Sequence, residues 1–327
     1  MRIVVADIGG THARFALAEI VPGALPRLGA MQRYRTREHE GLASAWAAFA
    51  RDCGEPLPRE AALAVAAPIE GEILTFMNSD WRIERATLAA ELGLDRMLLL
   101  NDFGAVANAV SMLGPDALAP IMGPDAPFPE NGVTTVLGAG TGLGVALFRR
   151  SGGAVTIIET EASHIAFAPL DAKEEGLRDA LVARYGRASV ERVVCGPGLI
   201  DIYRYLGGGD WDETRPGDLW SAAIDGGDAT AAHALDILIR CFGAGTGDIS
   251  LAHGAMGVAI TGGLANRIQH LLRGPGFGER FLAKGRYRER MARIPVKLVT
   301  TEEPGLLGAA VAFQHGRGTW IGRSPAG

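Results

Sequence analysis

The chain has 327 residues, 48% of them hydrophobic and 21% charged, with a formal net charge of −5. That size and composition predict about two domains with room for a large core, and the acidic balance without any Lys/Arg block speaks against a nucleic-acid surface. The three cysteines, Cys53, Cys195 and Cys241, are far apart and form no C-x-x-C pair, which indicates neither a zinc framework nor a disulfide scaffold and fits a reducing cytosol.

In chain order, Ile3, Val4 and Val5 open an apolar β-branched run, followed by Asp7, Gly9, Gly10, Thr11 and Arg14, and then by apolar Phe15, Ala16 and Leu17. The pattern predicts a strand, a tight glycine turn and a second strand. The apolar run before Asp7 is shorter than the ~7–15 residues of a signal-peptide core. Gln32 to Thr36 reads as a third strand. Leu42, Trp46 and Phe49 recur at helical spacing. Leu63 to Ala67 is a buried strand, Ala86 to Leu92 a helix stopped by Gly93, and Met97 to Leu100 a strand that ends at Asn101-Asp102, where a helix begins.

The stretch from Gly114 to Asn131, rich in Pro, Gly and Asp, reads as a boundary. Beyond it Val133 to Leu137, the run Gly138-Ala-Gly-Thr-Gly-Leu-Gly144, and Val145 to Phe148 repeat the opening strand–turn–strand theme. Residue for residue no repeat is visible, but the echo predicts two related halves. Asp171 with Glu174 reads as a capping box for a helix ending at Gly186. Further helices carry Leu199, Tyr203 and Leu206, and Leu235, Leu238, Ile239 and Phe242. Gly257 to Thr261 and Val296 to Thr300 are strands, Leu306 to Phe313 is the last long helix, and the tail after Gly316 reads as loose. The longest uncharged stretch, roughly residues 251–265, falls short of the ~20 residues of a membrane span. A soluble, cytoplasmic protein is expected.

Five places carry chemistry, each with a plainer reading beside it. Asp7 next to glycines suits a divalent cation between the carboxylate and a phosphate; it also suits a hairpin whose Asp caps a turn. Neither glycine turn is a P-loop or a dinucleotide fingerprint: Gly-Lys occurs nowhere, and the third glycine position holds Leu143 or Val145. Asp102 at a strand's carboxyl end suits a general base, or it and Asn101 are N-caps. Glu161 and His164 suit sugar hydroxyls, which need mixed donors and acceptors; a polar strand end explains them equally, and a metal lacks a second His at helical spacing. Glu191 fits the first turn of a helix with no function at all. Gly262-Gly263 lets a base lie against backbone, or simply turns strand into helix.

Together these stretches resemble bacterial glucokinases of the type without the zinc-binding cysteine motif. The similarity runs through Asp7 to Leu17, Ala67-Pro-Ile-x-Gly71, Met77-Asn78 with Trp81, Asn101-Asp-Phe103, Gly138 to Gly144, Glu161 with His164, Glu191-Arg192, Cys195-Gly-Pro-Gly198, Thr261-Gly-Gly263 and Pro304-Gly-Leu-Leu-Gly308. The resemblance implies an α/β, ribonuclease-H-like (actin/hexokinase-like) fold of two domains around a cleft. The small domain would be residues 1–112 plus 305–327, and the large one 113–304.

The resemblance also implies ATP-dependent phosphorylation of glucose with Mg²⁺ and a homodimer. Asp7, Gly9, Gly10 and Thr11 would form one phosphate loop, with Asp7 near Mg²⁺. Gly138, Gly140, Thr141 and Gly142 would form the other, and Gly262 and Gly263 would border the adenosine. Asn78, Asn101, Asp102, Glu161, His164 and Glu191 would hold glucose, with Asp102 as base. Two departures stand out: His12 replaces a frequent Asn, and Ala162-Ser163 replace two common glycines. The competing readings are a kinase for mannose or an N-acetylated amino sugar, a catalytically silent sugar-responsive regulator, and an actin-like filament subunit.

Overall fold

The structure, a computed structural model, describes residues 1–69, 71–76, 79–209, 211 and 216–322. The chain divides into two units: residues 1–114 with Ile157–Glu159 and the segment from Thr301 on, and residues 115–156 with Thr160–Thr300.

In the first unit, β1 (Arg2–Ile8) and β2 (His12–Glu19) form the opening hairpin; β3 (Arg27–Leu28) and β4 (Gln32–Arg35) both pair with β2. β5 (Glu60–Val65) runs parallel to β1. β6 (Ile73–Phe76) and β7 (Ser79–Glu84) form a separate hairpin, and β8 (Arg96–Asn101) runs parallel to β5. The sheet order is β3-β2-β1-β5-β8, closed at the far edge by a strand over Thr319–Gly322.

Central strands of a parallel sheet are covered on both faces, so they read as unbroken apolar runs. Ile3 and Val5 face Leu306, Ala309 and Ala310 of the helix Pro304–His315, while Val4 and Ala6 share a second cluster with Trp46 and Phe49 of α1 (Leu42–Asp52). There Phe15 stacks on Phe49 at 5.3 Å and meets Trp46 edge-on at 6.0 Å. α2 (Arg85–Glu91) precedes β8, and α3 (Asp102–Met112) follows it directly.

The second unit repeats the plan. β9 (Leu118–Met122) leads to β10 (Gly132–Ala139), β11 (Leu143–Ser151), β12 (Ala154–Thr160), β13 (Gly257–Thr261) and β14 (Val296–Val299). Their order, β12-β11-β10-β13-β14, with β9 antiparallel at the end, matches the main path of the first sheet, which has β4 on β2 as one strand more. In both sheets a hairpin is followed by two strands parallel to its first strand. This duplicated order is the ribonuclease-H-like core of actin/hexokinase-like proteins. The core includes α4 (Ala172–Tyr185), α5 (Val190–Val193), α6 (Gly198–Tyr205), α7 (Pro216–Asp225) and α8 (Ala229–Ala252). Among the described residues no helix is long and apolar enough to cross a membrane.

The two units part after Gly114, at the start of the stretch read as a boundary, and that stretch also holds β9, whose Leu118 and Ile121 are buried. Two other expectations are corrected. In the tail read as loose, Thr319–Gly322 form a strand in which Trp320 pairs with Leu98, and Trp320 also receives the Arg96 guanidinium at 4.9 Å; residues 323–327 lie outside the described residues. The capping box is displaced by one residue: Asp171 accepts from Glu174 N at 2.9 Å, but Glu174 accepts from Leu170 N at 2.8 Å.

One half-buried imidazole gives a pH dependence. His253 caps the C-terminus of α8, and its Nδ1 lies 3.0 Å from Thr135 Oγ1. Burial lowers its pKa from the ordinary 6.5. Below that value the unfolded chain therefore binds the proton more readily, so this contribution to stability is full above pH 6.5 and is lost as pH falls. The drop in Tm between neutral and mildly acidic buffer is expected to shrink in His253→Gln; an equal drop in both proteins would exclude His253 as a contributor.

Candidate active site

Asp7 and Arg14 are cross-strand partners in the β1–β2 hairpin, and Arg14 Nη1 donates to Asp7 Oδ2 at 3.0 Å. Arg14 Nε also lies 3.2 Å from Glu303 Oε2. Glu303, at φ 48°, is the one non-glycine with positive φ among the described residues, a conformation held at a cost. It precedes the helix starting at Pro304. A Cβ on Gly305 would lie 3.1 Å from Asp7 Cγ, so glycine lets the positive helix N-terminus approach the carboxylate closely. Burial raises the Asp7 pKa; Arg14 opposes the rise and Glu303 adds to it.

The turn itself is pinned from β4's end: Thr36 Oγ1 donates to Gly10 O at 2.7 Å and Thr36 N to Thr11 O at 3.1 Å. His12 sits beside it with Nδ1 3.2 Å from Arg33 Nη2. Its pKa is lowered by burial and then by Arg33, Arg14 and Arg35, which favours a neutral ring accepting from Arg33.

Among the described residues no three His, Cys, Asp or Glu side chains gather into a metal site. Two carboxylates around one guanidinium fit Mg²⁺ differently. That ion keeps several waters and binds through one or two carboxylates plus substrate phosphates.

At the end of β8, Asn101 Oδ1 accepts from Phe103 N at 2.8 Å and Gly104 N at 3.1 Å, and Asp102 Oδ1 accepts from Phe103 N at 2.9 Å. Asn101 is thus the N-cap of α3. The cap alone does not account for a carboxylate at the next position. Ile8, Val65 and Asn101 share one register row across three parallel strands. The ends of β1 and β8 are therefore two strand spacings apart, about 10 Å. Glu159, which belongs to the first unit, packs against α3: a Cβ on Gly104 would overlap its Oε1.

In the second unit, His164 stands between two carboxylates. Its Nε2 is 3.6 Å from Glu161 Oε2, and its Nδ1 is 3.9 Å from Glu191 Oε1. A single 3-10 turn, Ala162–His164, carries the ring, and no residue in it needs the left-handed region, so Ala162 and Ser163 fit where glycines are common. Ser189 caps α5 by accepting from Arg192 N at 3.3 Å, which places Glu191 in the first turn. From there Glu191 Oε2 accepts from Leu143 N at 3.1 Å. The glycine turn is further tied by Gly140 N to Gly142 O at 2.8 Å and Gly196 N to Gly140 O at 2.7 Å.

Gly138 pairs in register with Thr261, so the turn and Gly262-Gly263 are neighbours. Gly262 is held at φ 97°, and a Cβ there would overlap Ala139 O. Helix α9 (Gly263–Arg267) starts at once. Between these pieces lies a pocket of about 490 Å³, whose lining includes Gly140, Thr141, Gly196, Trp220, Gly263 and Arg267. Trp220 donates to Gly196 O at 3.3 Å, and the Arg267 guanidinium lies 5.9 Å from its ring centre.

The family model named Glucokinase matches residues 4–316. A glucokinase of Zymomonas mobilis subsp. mobilis is 46% identical over 318 residues, covering 96% of this chain and 98% of its own length. The chain belongs to the glucokinase family. Among solved structures, a glucokinase from an Antarctic psychrotroph superposes with a TM-score of 0.82 at 28% identity, covering 96% of this chain and 99% of that one. A ROK family glucokinase from Streptomyces griseus, solved with glucose and AMPPNP, shares the fold at a TM-score of 0.66 and 20% identity, covering 95% of this chain and 98% of that one.

In this glucokinase-family chain the residues singled out from sequence fall into two sets. The first unit brings Asp7, Gly9, Gly10 and Thr11 to the end of β1, and Asn101 and Asp102 to the end of β8. The second gathers Gly138, Gly140, Thr141, Gly142, Glu161, His164, Glu191, Gly262 and Gly263 around one hairpin. Asn78 lies outside the described residues. Sequence reasoning passed over Glu303, Trp220 and Arg267. Only Glu303 left a signal, its place just before the Pro-Gly that opens a helix. Cys195 and Cys241 are no nucleophiles: burial pushes the former up to about 12 and the latter well above its ordinary value.

Proposed function

We propose that this enzyme transfers the γ-phosphoryl group of MgATP to the 6-hydroxyl of glucose. Asp102 accepts the hydroxyl proton as the oxygen attacks phosphorus. The new O–P bond forms, the bond from phosphorus to the β,γ-bridging oxygen breaks, and ADP leaves. The observation that carries this reading is the division of labour at the end of β8: Asn101, in the register row of Ile8 and Val65, caps α3, and Asp102 follows it as the first residue of that helix.

Asn101, Asp102, Glu161, His164 and Glu191, with Asn78, bind the sugar. His164, flanked by two carboxylates, offers donors and acceptors suited to paired hydroxyls. The two glycine turns present backbone N–H groups to the phosphates, and Gly262 and Gly263 border the adenosine. Asp7, with Glu303 beside Arg14, holds the Mg²⁺ that accompanies the nucleotide; the ion supplies charge neutralisation on the phosphates. Catalysis is then mostly positioning and electrostatics. A cytoplasmic homodimer belongs to the same reading, and sedimentation measures the second part of it.

The test is a coupled assay with glucose and Mg²⁺ across donors and across hexoses. ATP is expected to serve and polyphosphate to fail, because the pocket walled by Trp220 and Arg267 takes a base and sugar that a phosphate chain lacks. Absence of glucose-dependent ADP formation would sink the reading. Preference for mannose or an N-acetylated amino sugar would redirect it.

A further inference from the structure

Glu191 spends its two oxygens on different neighbours. Oε2 accepts the Leu143 N–H at 3.1 Å, at the end of the second glycine turn, and a Cβ on Gly142 would lie 2.7 Å from the same oxygen. Oε1 points to His164, whose Nδ1 is 3.9 Å away, beyond hydrogen-bonding distance. The side chain is 27% exposed, so one oxygen is engaged and the other is accessible. The residue starts from a firm base: Ser189 caps the short helix, and Val190 and Val193 on either side are buried. Nearby, Gly196 N binds Gly140 O at 2.7 Å, so the same stretch of chain touches the turn twice.

We infer that Glu191 is the residue that couples the two substrates: one oxygen orders the nucleotide's glycine turn and the other reads the sugar. The inference rests on the proposed reading of the site. Without sugar, Oε1 makes no hydrogen bond to any described residue, and the carboxylate is free to turn away from Leu143. A sugar hydroxyl donating to Oε1 fixes the carboxylate's orientation and so keeps Oε2 on the Leu143 N–H. The turn is then already ordered when the nucleotide arrives, and the ordering cost is met by the first ligand. Linkage makes the effect reciprocal: nucleotide tightens sugar by the same factor.

The test measures binding rather than turnover. MgADP is titrated calorimetrically into the full-length protein with and without glucose, for the wild type, Glu191→Ala and Glu191→Gln. In the wild type, glucose is expected to tighten MgADP several-fold. Glu191→Ala, which strips the Leu143 N–H of its acceptor, is expected to weaken MgADP roughly tenfold even without glucose, since a hydrogen bond to a charged group is lost, and to abolish the effect of glucose. Glu191→Gln keeps an acceptor for Leu143 N–H, so its sugar-free MgADP affinity should return towards the wild type. A residue that only held sugar would leave sugar-free MgADP affinity unchanged in Glu191→Ala, and that result overturns the inference. Equal losses in Ala and Gln, or no effect of glucose in the wild type, overturn it as well. Thermal unfolding of each variant separates these outcomes from a folding defect. Direct titration of glucose into the wild type separates them from failure of the proposed function: if glucose does not bind at all, the site reading falls, while the sugar-free MgADP arm still tests the hydrogen bond.

Discussion

Asp102→Asn is expected to lower kcat by about 10²–10⁴-fold, the usual contribution of a positioned general base, with glucose affinity nearly unchanged. The substitution is mild structurally. An amide oxygen can still accept the Phe103 N–H that Asp102 Oδ1 accepts at 2.9 Å, and the cap on α3 belongs to Asn101, which is untouched. What the amide cannot do is take the hydroxyl proton. The loss should therefore appear in kcat and in kcat/KM together, the mark of an interaction made in the transition state. Steady-state kinetics alongside glucose titration measures both sides; turnover within a few-fold of the wild type would remove Asp102 as the base.

Gly308→Ala should be among the most damaging single-methyl additions in the chain. On an exposed helix Gly→Ala stabilises by roughly 0.5–1 kcal/mol, through lower backbone entropy in the unfolded chain. Here the sign reverses. Gly308 sits on the helix Pro304–His315 where it crosses α3, and a Cβ would be driven into the carbonyl oxygen of Ala105. A backbone oxygen in the middle of a helix cannot rotate aside, so the helices must part. Overpacking of this kind costs about 1–3 kcal/mol, and the upper end is expected because no side chain can yield. Activity should fall too, since α3 carries Asp102 at its first turn and Gly305, next to Asp7, belongs to the same helix as Gly308. Denaturant titration with parallel kinetics tests this. A variant more stable than the wild type would mean that propensity, not contact, governs the position.

The apolar runs around Val4, Leu63, Leu98 and Val136 made the central strands legible, because strands buried on both faces have no polar alternation to blur them. Both glycine turns stood out for the same reason: apolar strands flank them closely on each side. Edge elements were harder. β9 mixes a proline with apolar residues, and Thr319–Gly322 is too short to show a period. Each is a strand because a neighbour offers a free edge, which is a tertiary fact.

The site shows the same split. The Asp7–Arg14 pair could be read by counting outward from the turn between Gly10 and Thr11, since hairpin register follows from the turn. The bond from Leu143 to Glu191 could not, because it spans 48 residues and joins a hairpin to a helix start. Nor could Trp220, which reads as one more core aromatic until the pocket beside it is seen.

The matching strand order of the two sheets has a consequence for how such a chain diversifies. Aligned by register, Ile8 and Gly138 each sit opposite the last residue of the neighbouring parallel strand, so Asp7 corresponds to Leu137. One copy carries a carboxylate at that position, and the other carries a side chain with no exposure at all. Backbone geometry is kept between the two hairpins while residue identity differs: one turn follows a carboxylate, the other follows a buried leucine and presents Thr141 between glycines. A comparison of the halves letter by letter misses their likeness, whereas ladder pairing recovers it at once.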